Sequence, residues 1–410
     1  MATEQYIVVG GGIAGLTAAV ALAQKGCSVA VYEQSGHLGG RAATQHQDGF
    51  SLNLGPHALY RNGPFYKALR EWQIPFSGKT PRLGSDAYVI ANGRKYLFPT
   101  DGTKLFLTGA LSIADKFAAA RILQLLTAGK HTAVEGLSFS QWLDANVRPG
   151  RARELAEALV RFCTYCNDLA LISARAALTQ VRFAIKSGVV YVDGGWETLV
   201  AGLSKKAESL GVKLLAGMPV EQVTQGSVQL ADGRRLDSAG TILAVTPDVV
   251  ERLTGARLPG LSPIRIACFD LGLEALPAKY GRFALGLDQP FYLSMHSAYA
   301  NLAPAGGALI HIGKYLAANE NGTREELESV ADLVLPGWRR HVKVARFLPN
   351  MTVSYAVPTV TGRPDVNAIP IPGIALAGDW VGKESMLADA AVASALEAAA
   401  FIQRREFLAA

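Results

Sequence analysis

Between Tyr6 and Glu33 the spacing of residues suits a phosphate-rich ligand. Gly10-Gly11-Gly12-Ile13-Ala14-Gly15 is a G-x-G-x-x-G run. Such a run is weak by itself. Here it follows the apolar stretch Tyr6-Ile7-Val8-Val9, predicted to be a strand, and opens the Ala- and Leu-rich stretch Ile13 to Gln24, predicted to be a helix. That context is the one a dinucleotide site requires. Gly10 permits the tight turn, Gly12 lets a pyrophosphate approach the backbone, and Gly15 lets the helix pack close to the strand. Ile13 and Ala14 begin the helix, whose free N–H groups and partial positive charge face the phosphates. Glu33 follows about twenty residues on, at the end of a second predicted strand, Ser28 to Tyr32, where a carboxylate accepts both ribose hydroxyls. An acid there repels a 2′-phosphate, so NAD or FAD is expected rather than NADP. The competing reading is a glycine-rich turn with an incidental Glu.

Gly36-His37-Leu38-Gly39-Gly40-Arg41-Ala42 comes directly after Glu33. Two adjacent glycines and an arginine bring backbone and guanidinium onto the second face of a pyrophosphate; the plainer alternative is a surface turn. With the glycine run, the acid and Gly39-Gly40-Arg41 in this order, the chain resembles the FAD-dependent amine oxidase, phytoene desaturase and protoporphyrinogen oxidase superfamily. The resemblance implies FAD as cofactor and covers most of the chain. Leu54-Gly55-Pro56-His57 resembles the Gly-Pro turn that ends the first FAD segment, with Asn53 where the group often has an acid. Asp193-Gly194-Gly195-Trp196 looks like the element that starts the second segment, and Val220 falls where the family's strand touches the adenine through its backbone. Ala377-Gly378-Asp379-Trp380 looks like the Ala-Gly-Asp motif, whose Asp bonds the ribityl chain. The helix entered near Leu387 is then expected to aim its N-terminus at the flavin pyrimidine and to stabilise anionic reduced flavin. Ala390-Ala391 and Ser394-Ala395 stand where the group often has Gly-Ala and Ser-Gly. His57 is the one histidine beside the flavin turn, and a structural role is its simpler reading.

In that superfamily the flavin takes a hydride from a C–H bond and the protein supplies position and environment. No Ser-His-Asp or metal constellation is expected, and no catalytic side chain is named. Amine oxidases commonly set two aromatic rings before the flavin. The corresponding position here falls at Leu387, and no Trp or Tyr occurs between Val381 and Leu396. An aliphatic Leu387 beside Met386 suits an apolar, isoprenoid-like or polycyclic substrate. Reduced flavin would pass its electrons to oxygen or to a membrane quinone. Two other readings stand beside this one: an amine oxidase with an atypical cage, and a non-catalytic or redox-sensing flavoprotein. Lys104 to Leu126 combines Leu105, Phe106, Leu107, Leu111, Phe117, Ile122, Leu123 and Leu126 with Lys116 and Arg121. That pattern can touch a membrane surface or open a lipophilic tunnel; a helical lid packed on its own domain is the plainer reading. Tyr292, Tyr315 and Trp338 can equally line a cavity or fill a core.

These residues must be positioned by an α/β frame. Thr198 to Leu210 reads as a helix, Val212 to Leu215 and Thr241 to Val245 as strands, Asp232-Gly233 as a hairpin turn, Ile374 to Leu376 as a strand and Leu387 to Ile402 as an Ala-rich helix. Residues from about Arg61 to Lys186 read as mostly helical. Residues from about Leu261 to Tyr355 give no clean pattern beyond sheet-like stretches at Phe291-Tyr292-Leu293 and Ala308-Leu309-Ile310. The expected architecture is a discontinuous, Rossmann-like FAD-binding domain (1–60, 190–255, 356–410) with an inserted α+β substrate domain (61–189, 256–355). The length of 410 residues fits about two domains. A net charge of +6, scattered rather than massed, gives no argument for nucleic acid. Four cysteines make no disulfide framework. Cys163-Thr164-Tyr165-Cys166, Cys27 and Cys268 read as buried helix thiols. No leader and no run of about 18 apolar residues is seen, so a cytoplasmic protein, at most peripheral to a membrane, is expected.

Overall fold

The computed structural model describes residues 5–127, 134–383 and 385–404. The predicted ends at residues 1–4 and 405–410 lie outside them. Gln5–Val9 and Ser28–Tyr32 pair in parallel, joined by the helix Ile13–Ala23. Their strands are continuous apolar runs because helices cover both faces of a parallel sheet. Three further strands complete it, in the order Lys213–Leu215, Ser28–Tyr32, Gln5–Val9, Gly240–Leu243 and Ile374–Leu376, all parallel. Stretches far apart in sequence therefore share one sheet. The Ala-rich faces of Ile13–Ala23 and Leu387–Gln403 pack together, and Glu197–Ser209 packs on the first of them. A small antiparallel sheet, Val220–Thr224, Ser227–Leu230 and Arg235–Asp237, turns at Asp232-Gly233, where Gly233 takes a φ of 87°.

The stretch without a clean sequence pattern is a seven-stranded sheet in the order Val342–Ser354, Ile264–Leu273, Ala308–Tyr315, Phe291–Met295, Phe283–Gly286, Ala87–Ala91 and Arg94–Leu97. All its pairings are antiparallel except Phe283–Gly286 with Ala87–Ala91. Helices predominate in 61–186, but two strands of this sheet divide them: Pro64–Glu71 comes before the strands, and Gly102–Leu107, Ile113–Thr127, Phe139–Asn146, Arg151–Thr164 and Ala174–Ser187 come after them. The cysteine reading also changes. Cys163 is helical, Cys166 lies just past that helix, Cys268 is in a strand and Cys27 is half-buried in a loop.

Candidate functional site

One cavity of about 750 Å³ runs between the two sheets. Its wall brings together Gly10, Gly12, Ile13, Ala14, Glu33, Gly39, Gly40, Arg41, Pro56, His57, Val220, Gly378, Asp379 and Leu387. Gly15 and Gly55 are not on that wall. A Cβ at Gly15 would lie 1.8 Å from the Gly10 carbonyl oxygen, so Gly15 serves the approach of helix to strand. Gly55 (φ 77°) lies behind His57, its carbonyl 3.1 Å from Nδ1.

The two glycine loops are stitched to each other. Gly39 donates its N–H to the Gly11 carbonyl at 2.9 Å, and Gly12 bridges Gly39. Gly39 and Gly40 hold φ of 111° and 53°, a backbone that residues with a Cβ adopt at a cost. Glu33 Oε2 accepts the Gly11 N–H at 2.7 Å and Oε1 accepts the Ser35 N–H at 2.8 Å. A carboxylate has about four lone-pair sites, so capacity remains for two hydroxyls.

At the other end of the chain Asp379 is buried. Its Oδ2 accepts from Arg41 Nη1 at 2.8 Å, while Oδ1 has no partner among the described residues. Arg41 also donates to the Val353 carbonyl and lies over the Tyr355 ring, 4.8 Å away, yet 44% of its side chain stays accessible. Burial works against the guanidinium's charge, but Asp379 outweighs it and holds the pKa above the usual value. His57 lies against Trp196, with ring centroids 4.6 Å apart. Burial, with smaller contributions from His311 and Arg41, lowers its pKa to about 4, so the ring is neutral at physiological pH. Asn53, where an acid was noted as usual, accepts from the Trp196 N–H at 2.9 Å and from Thr44 Oγ1 at 2.8 Å. It pins the second chain segment to the first without a charge.

Three features had no sequence signal. Arg363 is buried and donates to the carbonyls of Gly382, Asp379 and Ser385, each at 2.9 Å. It shapes the turn into Leu387–Gln403, in which Ser385 and Leu387 are left-handed (φ 61° and 57°). Asp389, in the first turn of that helix, accepts the Phe65 N–H at 2.9 Å, and burial raises its pKa to about 7. Finally, Arg346, Asp270, His311 and Ser294 form one row across four neighbouring strands. Asp270 Oδ1 lies 2.5 Å from His311 Nδ1 and Oδ2 accepts from Arg346 Nη2 at 2.5 Å. Burial opposes the charge on Asp270, but His311 and Arg346 prevail and lower its pKa. Cys268 completes a cluster of metal-ligand types with Asp270 and His311, but Arg346 already supplies the counter-charge there.

Beyond the glycine loops the wall is aromatic and aliphatic, with Phe162, Tyr165, Phe283, Tyr292 and Met351 beside Leu387. Tyr292 thus lines the cavity. Tyr315 stacks behind it, and Trp338 packs on Phe269 in a separate core.

Residues 13–265 match the family model of flavin-containing amine oxidoreductases. The chain belongs to that family. FAD is its cofactor, and the residues present fit it: Asp379 Oδ1 is buried without a partner among the described residues, and both glycine loops line the cavity. The fold is also that of an oxidoreductase from Methanosarcina mazei (TM-score 0.77, 17% identity, 96% of this chain and 99% of that one). A putrescine oxidase solved with putrescine bound is similar too (TM-score 0.69, 18% identity, 98% and 99%). A stretch of 57 residues is 47% identical to 4,4′-diaponeurosporene oxygenase of Staphylococcus aureus, spanning 14% of this chain and 12% of that protein.

Proposed function

We propose that the chain is an FAD-dependent oxidoreductase of the dehydrogenase or desaturase type, taking a hydride from an apolar, isoprenoid-like or polycyclic substrate onto flavin N5. Oxygen or a quinone would then receive the electrons. The division of labour follows the chain: 1–60, 190–255 and 356–410 hold FAD, while 61–189 and 256–355 shape the substrate chamber. When bound, FAD supplies the hydride acceptor. Arg41 and the loops Gly10–Gly12 and Gly39–Gly40 hold the pyrophosphate, Glu33 the ribose, and Asp379 the ribityl chain; Val220, Pro56, His57 and Gly378 complete the cradle. Ile13 and Ala14 turn the helix N-terminus to the phosphates.

The observation that carries the reading is the chemistry of the chamber wall. A cationic amine needs a free carboxylate or a desolvated cage. Among the described lining residues beyond the cofactor cradle, Asp86 is paired with Arg282 at 3.1 Å and Asp389 is held toward its neutral form. Leu387 and Met351 supply apolar surface where the chamber meets the final helix. The sequence likeness to a protein named for a carotenoid points the same way.

Anaerobic mixing of the FAD-loaded protein with detergent-dispersed 4,4′-diaponeurosporene and, separately, with putrescine tests it. Bleaching of the flavin absorbance by the polyene supports the reading. Bleaching by putrescine alone would replace it with an amine oxidase, for which Tyr165, Tyr191 and Tyr292 are among the tyrosines on the wall beyond the cofactor cradle. A flavin that no electron donor of a wider panel reduces would mark a non-catalytic flavoprotein.

A further inference from the structure

The stretch 102–127 has two apolar faces, and only one is covered. On the inner side Leu111, Ala119, Ile122 and Leu126 are buried in the same cluster as Phe283 and Tyr292, with Phe162 packed against it. All three rings line the cavity. On the outer side Phe106, Leu107, Ile113, Phe117 and Leu123 are 65%, 69%, 75%, 66% and 46% exposed. They are five of the seven large exposed hydrophobics among the described residues, gathered within eighteen positions of one another. Scattered single exposures are ordinary; a group of this kind is not.

The placement of charge adds a second observation. At about 100° per residue, Ile113, Phe117 and Ala120 fall within an arc of about 60° on the side of Ile113–Thr127 away from its buried positions. Lys116 lies on one flank of that arc and Arg121 on the other. Lys116 donates to the Phe106 carbonyl at 2.6 Å, which ties the end of Gly102–Leu107 to the second helix and keeps their apolar residues together. Arg121 has no ion pair among the described residues, and Asp101 is occupied by Lys104 at 3.3 Å. An apolar strip edged by two cations is the pattern that seats a helix in the headgroup region of a bilayer, with long basic side chains reaching outward to the phosphates.

We infer that residues 106–123 dock this protein on an anionic lipid surface, with Phe106, Leu107, Ile113, Phe117 and Leu123 entering the headgroup layer and Lys116 and Arg121 meeting lipid phosphates. The occupant is a bilayer rather than a second copy of the chain because the strip is short, convex helix surface edged on both sides by like charge, which would face like charge in a symmetric pair. The inner face of the same helices reaches the cavity wall. An apolar substrate dissolved in the membrane would therefore meet the protein beside its chamber; this last point rests on the reaction proposed above, whereas the docking does not.

The test is flotation of the FAD-loaded protein with vesicles of phosphatidylcholine mixed with an equal part of phosphatidylglycerol, and with vesicles of phosphatidylcholine alone. Because no turnover is measured, the outcome is independent of which substrate is oxidised. Binding is expected to the anionic vesicles and to weaken as salt is raised. The double variant Phe106→Glu/Phe117→Glu should bind about tenfold or more weakly, since each ring forfeits its burial, and Arg121→Glu should lose binding to anionic vesicles selectively. The flavin spectrum of each variant reports that the fold is intact. Failure of the unaltered protein to float with either vesicle, or equal flotation with both, overturns the inference. So does self-association in sedimentation velocity that the double variant abolishes without any vesicle binding, which would assign the strip to a second copy.

Discussion

Replacing Asp389 by Asn should remove a specific pH dependence of stability. Asp389 is buried in the first turn of Leu387–Gln403, and its Oδ1 accepts the Phe65 N–H. Burial raises its pKa from 3.8 to about 7, against the opposing pull of the Phe65 N–H and Lys67. Between those two values the folded chain keeps a proton that the unfolded chain releases. Protonation therefore stabilises the fold at low pH, and this contribution is lost as pH rises through the folded pKa. Each unit of pKa difference is worth about 1.4 kcal/mol. Integrated from pH 5 to pH 8, the loss comes to about 2.5 kcal/mol. Asn does not titrate, and its side-chain oxygen still accepts from Phe65. Urea unfolding of the wild type and Asp389→Asn at both pH values, with FAD in fixed excess, should show the variant gaining about 2.5 kcal/mol on the wild type between pH 5 and pH 8. A difference between the two proteins that stays constant across the range would refute the burial argument.

Other substitutions probe the remaining parts of the site. Asp379→Ala removes the carboxylate shared by Arg41 and the expected ribityl hydroxyl. FAD titration of the deflavinated protein should show affinity lower by about tenfold to a hundredfold, the worth of one charge-assisted hydrogen bond; an unchanged Kd would take Asp379 out of the cradle. Gly15→Val should yield no yellow protein, because its Cβ begins 1.8 Å from the Gly10 carbonyl oxygen. A variant with normal flavin content would show that the helix can shift. Asp270→Asn takes the buried carboxylate from the half-buried Arg346 and should cost about 3 kcal/mol in urea unfolding. Asp270→Asn combined with Arg346→Met should recover much of that loss, and a double variant no better than the single would mean that the pair is not the cause.

The first sheet was legible because its physics is local. Ser28–Tyr32 and Ile374–Leu376 are short apolar runs bounded by turns, and burial on both faces leaves no other pattern for them to have. The second sheet showed only in fragments, for a related reason. Ala308-Leu309-Ile310 reads as sheet-like, but all eight residues of Ala308–Tyr315 are buried, including His311 and Lys314, so neither alternation nor polarity carries the strand on to Tyr315. Val342–Ser354 pairs with Ile264–Leu273 through several register shifts, which scramble its period of two. In the site, glycines and acids at fixed spacing announce themselves, whereas Arg363 does not. Its role depends on three carbonyls brought together only by the turn it stabilises. The stripe at Lys104–Leu126 was legible as apolar but not as two-faced, because sequence gives helical phase without saying which neighbour covers which side.

The parallel sheet has a consequence for how the cofactor is acquired during synthesis. A ribosome delivers Gly10, Glu33 and Arg41 early, but the partner of Arg41 is Asp379, which follows the edge strand Ile374–Leu376. Until that strand emerges, the nascent chain carries half a cradle: glycine loops without the carboxylate that neutralises their arginine. Long-range parallel pairing is slow to form and exposes its edges while incomplete. A complete cradle therefore needs the last strand in place and Leu387–Gln403 docked on Ile13–Ala23, so the site for FAD is finished only when nearly the whole chain has folded.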